Sequence, residues 1–159
     1  MGSNDINDVN YLNNSNKTPT ENLNDIINVI FNTTENMYKV GARNFLFINI
    51  SPFDLSPSNA GNKRPFYKDQ VQLFNQALEE HSKTLFNKYD DINIIVYDNN
   101  SQYKYVMANY SHFQFKEGSW NFHKKENMDN FFWRDFTHIT NKGNRILAED
   151  IDLLLNSLK

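Results

Sequence analysis

Residues 44–50 read NFLFINI, and residues 92–98 read INIIVYD. Each is a short, nearly continuous apolar run, rich in β-branched and aromatic side chains. Runs of this length are too short for a helix and fit strands buried on both faces of a parallel sheet. Around them the pattern changes to helical spacing. In TPTENLNDIINVIFNTTENMYKVGA (18–42), Leu23, Ile26, Ile27, Ile30, Met37 and Val40 recur at helical intervals. Thr18 or Thr20 suits the cap of that helix, Pro19 its first turn and Glu21 its positive end. Gly41 suits a left-handed terminus. A second helix is expected over about 67–89, with Val71, Phe74, Leu78, Leu85 and Phe86 on one stripe.

The remaining segments complete the order. The first 17 residues are polar and Asn-rich and read as a strand end followed by loop. Pro52, Pro57, Gly61 and Pro65 break SPFDLSPSNAGNKRP (51–65) into a loop. NSQYKYVMANY (100–110) reads as a short helix capped by Asn100 or Ser101, and residues 110–134 as an irregular aromatic loop. A last helix is expected from about Asn141 to Leu158, turning Ile146, Leu147, Ile151, Leu154 and Leu155 inward. Alternating strands and amphipathic helices imply an α/β fold with a parallel sheet and right-handed crossovers. Two strands are few, because a three-layer domain wants about five. Residues 1–159 are therefore expected to be the later part of one larger α/β domain. In such sheets sites gather at the carboxyl ends of strands, here around Ser51–Asp54 and Asp98.

Composition narrows the function. A chain of 159 residues is one domain's worth and long enough to bury a core. Its net charge of −3 argues against a nucleic-acid binder, which needs a basic surface. No apolar run approaches the roughly 20 residues of a membrane span. MGSNDINDVN lacks the basic region and apolar stretch of a signal peptide. Zero cysteine excludes disulfides, thiolate metal sites and a cysteine nucleophile. Asn makes up about one residue in six, scattered through periodic segments, and reads as coding bias from an AT-rich genome.

Two short motifs carry chemistry. In FFWRDFTHIT (131–140), Asp135 and His138 stand three apart in a turn just before the last helix. A histidine is the commonest general base near neutral pH, and a carboxylate on its Nδ1–H fixes the tautomer and stabilises the imidazolium. Asp and His also simply suit turns. Phe132 and Trp133 before the pair, and Thr140 or Asn141 as a cap after it, favour a rigidly held base. GSNDIN (2–7) offers the Asn and Gly donors of an oxyanion hole, though its composition is ordinary for a turn.

Taken together, three blocks resemble the SGNH, or GDSL, esterase and lipase family. GSNDINDVNYL is similar to its Gly-x-Asn-Asp block. VGARNFLFINISPFDLSP is similar to the strand and Pro-containing loop that follow. FFWRDFTHITNKGNRILAEDI resembles its last block, with Asp-x-x-His, a Gly and a helix carrying Ile-Leu-Ala. Their order and spacing agree across nearly the whole chain. The aromatic character of the last block is closest to the branch of acetylesterases acting on plant cell-wall polysaccharides. The resemblance implies a three-layer α/β/α, flavodoxin-like fold. It also implies His138 as base toward a serine, Asp135 as its orienter and Asn4 as an oxyanion donor, with Asp5 ordering the loop. The substrate implied is a carboxylic ester, an acetylated polysaccharide or a lipid ester. No cofactor or metal is implied, and the family suits an extracellular parent. The departure is the family's Gly-Asp-Ser block, which supplies the nucleophile, together with the block holding an oxyanion Gly. No serine here follows Gly-Asp. The fold is thus expected to be incomplete, and the isolated chain to be inactive or nearly so and marginally stable.

Other features admit other readings. Tyr103, Tyr105, Tyr110, Phe113, Phe115, Trp120, Phe122 and Trp133 could stack on sugars or could fill a core. The former would suit a carbohydrate-binding pseudoenzyme without a nucleophile. A third reading is a structural piece left by gene truncation. His112, Glu117 and His123 match no compact metal-ligand spacing.

Overall fold

The computed structural model describes residues 4–6, 17–59, 63, 66–118 and 128–158. They gather into two compact units, one within residues 1–51 and 66–98, the other within 52–65 and 99–159.

The first unit is a β-α-β unit with a helix before it. Helix α1 (Pro19–Lys39) begins at Thr18, whose hydroxyl accepts from the Glu21 N–H while the Glu21 carboxylate accepts from the Thr18 N–H. This reciprocal cap, with Pro19 at the first position, satisfies donors that the helix start leaves open. The helix ends as the sequence implies. Gly41 takes φ 110°, the Gly41 N–H donates to the Tyr38 carbonyl and the Ala42 N–H to the Met37 carbonyl. That pair of bonds closes the last turn around a residue for which a side chain would be strained. The buried stripe of α1 is Leu23, Ile27, Phe31 and Thr34. Met37 and Val40, expected inward, are exposed, because the 3.6-residue period carries them past the stripe that Phe31 and Thr34 continue.

Strand β1 (Asn44–Ile48) and strand β2 (Asn93–Tyr97) pair in parallel, with Asn44 opposite Asn93 and Ile48 opposite Tyr97. Helix α2 (Phe66–Lys88) lies between them in sequence, as a parallel connection requires. Its buried stripe is Tyr67, Val71, Phe74, Leu78, Ser82 and Leu85. Phe86 was expected in that stripe and is exposed, since it lies about 100° round the helix from Leu85. The expectation of burial on both faces is corrected for β1, whereas in β2 Ile94, Ile95 and Val96 are half-buried and Tyr97 is buried. β1 alternates, with Phe45 and Phe47 half-buried and Leu46 and Ile48 exposed. The Phe31 ring of α1 sits 5.2 Å from that of Phe47, so the helices cover one face. Above β1, the Asn75 side chain of α2 accepts from the Ile50 N–H at 2.8 Å and donates to the Ile50 carbonyl at 3.0 Å. Asn49 donates from its side chain to Asp98 across the two strand ends. Below the strands, Asp91 accepts from the Tyr38 hydroxyl at 2.7 Å and from Arg43 at 2.6 Å. These two partners hold its carboxyl below the usual carboxylate range.

The second unit contains helix α3 (Asn99–Ala108), helix α4 (Asn141–Asn156) and 3-10 turns at Phe53–Leu55, Pro57–Asn59 and Met128–Asn130. α3 starts at Asn99, two or three residues before a cap at Asn100 or Ser101 would allow, so both of those residues lie inside its first turn. The core comprises Val106, Met107, Phe115, Phe132, Trp133 and Ile139, with Tyr103, Phe113, Ile146 and Leu147 packed against it. Full burial of each such side chain is worth about 1.5–3 kcal/mol. The Phe132 ring meets Tyr103, Phe115 and Trp133 edge-on, at centroid distances of 5.0, 5.8 and 5.5 Å. Leu155, expected inward, is exposed toward the far end of α4, beyond the Ile146 and Leu147 contacts.

Among the described residues, two parallel strands with helices make an α/β fold, with fewer strands there than a full three-layer sheet holds. Residues 4–6 form a helical turn where a strand end was expected, in keeping with the turn chemistry of Asn4 and Asp5. Ile6 is fully buried.

Candidate active site

The Asp135–His138 segment is a tight loop whose stem is fixed from both sides. Trp133 and Ile139 form an antiparallel bridge. The N–H groups of Arg134 and Asp135 both donate to the His138 carbonyl, at 2.9 and 3.3 Å. The Phe132 and Trp133 rings are sunk in the core and anchor the stem. On the other side, the Thr140 N–H donates to the Phe132 carbonyl at 2.8 Å and its hydroxyl to the Phe131 carbonyl at 3.0 Å. The same hydroxyl accepts from the Gly143 N–H at 3.3 Å and caps α4. Thr140 rather than Asn141 is therefore the cap. A methyl on Gly143 would lie 3.3 Å from the Ile139 side chain and 3.4 Å from the Phe132 ring, so the helix approaches the stem closely because this residue is glycine.

At the tip, the Asp135 carboxylate gathers donors. Its Oδ1 accepts from the Thr137 N–H at 2.9 Å and from the His138 N–H at 2.8 Å. The His138 Nδ1 lies 2.9 Å from Oδ1 and 3.0 Å from Oδ2. Arg134 approaches Oδ2 at 3.5 Å. Desolvation pushes the Asp135 carboxyl up, but the N–H groups of Thr137 and His138, with the His138 ring, outweigh it and hold it down to about 2. The ionised carboxylate accepts a hydrogen bond from an Nδ1–H, the tautomer that leaves Nε2 as the ring's acceptor. The His138 side chain is 68% exposed, open to a group from the solvent side.

Asn4 is exposed and lies in the first unit, and Gly2 and Ser3 are outside the described residues. Of the strand-end residues singled out in the sequence, Asp98 bonds Asn49, and the Asp54 carbonyl accepts from Asn59. The sequence did not single out the Ser56–Asn59 turn, whose Ser58 N–H donates to the Phe136 carbonyl at 2.8 Å between Asp135 and His138. Its only sequence signal was turn composition. Of the aromatic residues considered for stacking, Phe115 and Trp133 are buried in the core. Tyr103 packs against them, and burial pushes its phenol up to about 12. Tyr105 and Tyr110 are exposed, while Trp120 and Phe122 lie outside the described residues. His123 lies outside them too. Among the described residues no three His, Asp or Glu side chains gather to hold a metal ion.

A model of the GDSL-like lipase/acylhydrolase family matches residues 1–151. The chain belongs to this family. Members of the GDSL-like lipase/acylhydrolase family are ester hydrolases, and their α/β fold accords with the parallel pair β1–β2 and its connecting helix. Within this family the substrate class is an ester. No helix among the described residues is long and apolar enough to cross a membrane. No curated protein matches the chain.

Proposed function

We propose that this chain supplies the acid–base half of a serine ester hydrolase, with His138 as general base and Asp135 as its orienter. The observation that carries the reading is the His138 Nδ1 held between both Asp135 oxygens at 2.9 and 3.0 Å. In the reaction a serine hydroxyl attacks the ester carbonyl while His138 Nε2 takes its proton. The imidazolium then returns that proton to the departing alcohol, and Asp135 stabilises the cation without accepting the proton. Water, deprotonated by the same nitrogen, releases the acid and restores the serine. Asn4 donates its side-chain N–H to the oxyanion in both halves. Carboxylic esters are the substrates in this reading, acetyl esters of carbohydrate or lipid esters.

Residues 1–159 form, in this reading, the C-terminal part of a single SGNH-hydrolase domain whose serine lies on a Gly-Asp-Ser block absent from this sequence. The exposed Leu46 and Ile48 of β1 support it, because parallel sheets are covered on both faces. Removing a triad nucleophile costs several orders of magnitude in rate. The test is release of nitrophenol from an aryl acetate. The chain alone is expected to match the uncatalysed rate, and fusion behind a Gly-Asp-Ser-bearing front half to restore turnover that His138→Ala abolishes. Turnover by the chain alone that His138→Ala removes would refute the missing-nucleophile part. Binding of acetylated polysaccharide with no turnover in the fusion would favour a pseudoenzyme.

A further inference from the structure

We propose that the Ser56–Asn59 turn is the positioning element of the Asp135–His138 loop, acting through the single peptide unit between Phe136 and Thr137. This rests on the reading of Asp135 and His138 as orienter and base. The carbonyl end of that peptide accepts from the Ser58 N–H at 2.8 Å. Its N–H end donates to Asp135 Oδ1 at 2.9 Å. A peptide unit is planar and does not twist between its two ends. The Ser58 amide therefore sets the direction in which the Thr137 N–H points, and with it one of the donors gathered on Asp135 Oδ1. Hydrogen bonds in series also polarise one another, so the Ser58 donor strengthens the Thr137 donor.

The stem bonds do not do this work. The Trp133–Ile139 bridge and the donors to the His138 carbonyl fix the base of the loop. The tip residues Phe136 and Thr137 are exposed, where a peptide unit rotates at small cost. The turn that reaches them is held far more firmly than a surface loop needs. Ser56 is fully buried, and its hydroxyl donates to the Phe53 carbonyl at 2.7 Å and lies 2.7 Å from the Ser58 hydroxyl. The Asn59 N–H donates to the Ser56 carbonyl at 2.8 Å. The buried Asn59 side chain donates to the Asp54 carbonyl at 2.6 Å. Pro52 and Pro57, both buried, restrict the backbone further. A satisfied buried polar network of this kind holds one geometry, and here it aims one amide.

The test is amide hydrogen exchange at neutral pH, resolved by NMR, on the chain and on Ser56→Ala and Asn59→Ala made singly. The Thr137 amide is expected to exchange about tenfold faster in either variant, the loss of roughly one hydrogen bond. The Arg134 and Thr140 amides, which belong to the stem, are expected to keep their rates. A second readout is the Asp135 carboxyl titration, followed on its carbon signal, which should move up by as much as about one pH unit. Equal acceleration of all three amides would mean a merely structural turn and would overturn the proposal. An unchanged Thr137 amide in a folded variant would overturn it as well. Both of those outcomes leave the ester-hydrolase reading standing, since it rests on the Asp135–His138 contact and on turnover by the fusion. Should one variant fail to fold, the other decides.

Discussion

Replacing Thr140 with valine tests how the candidate site is built into the core. The side chain is almost fully buried and valine has its shape, so packing is conserved while two hydrogen bonds are removed. The first is the cap of α4, the bond from the Gly143 N–H, whose loss costs about 1 kcal/mol. The second is the donation to the Phe131 carbonyl, and a buried carbonyl deprived of its donor costs about 1–3 kcal/mol. The sum is a loss of about 2–4 kcal/mol, a large share of the stability of a small domain. Urea unfolding followed by tryptophan fluorescence reads it, since Trp133 sits in the same core. With a slope of about 2 kcal/mol/M, the midpoint should fall by roughly 1–2 M. Thr140→Ser keeps the hydroxyl and should lose much less. A valine midpoint within about 0.3 M of the parent would refute the reasoning, as would a serine variant no better than valine.

Acid should weaken the loop in a defined window. The Asp135 carboxyl is held down to about 2 from an ordinary value of 3.8, so the ionised form is favoured by folding. Its contribution is complete above pH 3.8 and is lost as pH falls through about 2. The side chain is 39% exposed, so screening keeps the energy well below that of an enclosed pair. Asp135→Asn should flatten the acid limb of the stability curve between those values, and an unaltered limb would count against the hydrogen bonds described. Ser82→Ala should raise stability by about 1 kcal/mol, because the Ser82 hydroxyl is buried in α2 with no hydrogen-bond partner among the described residues. A lower urea midpoint for that variant would show that the hydroxyl has a partner in solution.

The elements that were legible in the sequence are those specified locally. NFLFINI and INIIVYD could only be short strands, and Thr18, Pro19, Glu21 and Gly41 mark both ends of α1 through bonds that span a few residues. Asp135 and His138 were legible as a pair because three residues in a turn bring their side chains together. Periodicity names a stripe but not its width, and so it misplaced Met37, Val40, Phe86 and Leu155. Apolar content alone does not tell a strand covered on both faces from one covered on a single face, which is why Leu46 and Ile48 came out exposed. The Ser58–Phe136 bond joins backbone atoms far apart in the chain, and a backbone donor leaves no mark in residue identity. Its buried serine and asparagine supports looked only like turn residues.

The Asn75 clamp limits what can be added to the sheet. The Asn49 N–H points to β2, so the backbone groups of Asn44, Leu46, Ile48 and Ile50 face the opposite edge. At Ile50 that edge is already taken by a side-chain amide, which imitates one rung of a neighbouring strand. A strand joining β1 can therefore zip along Asn44–Ile48 and no farther. Asn75 works as an end stop, fixing both the length of the ladder and the point where an incoming chain must leave the sheet. A strand extended past Ile48 would meet an occupied position at Ile50, so the clamp caps the ladder's length on this edge, and short edges discourage the endless stacking that long bare ones invite.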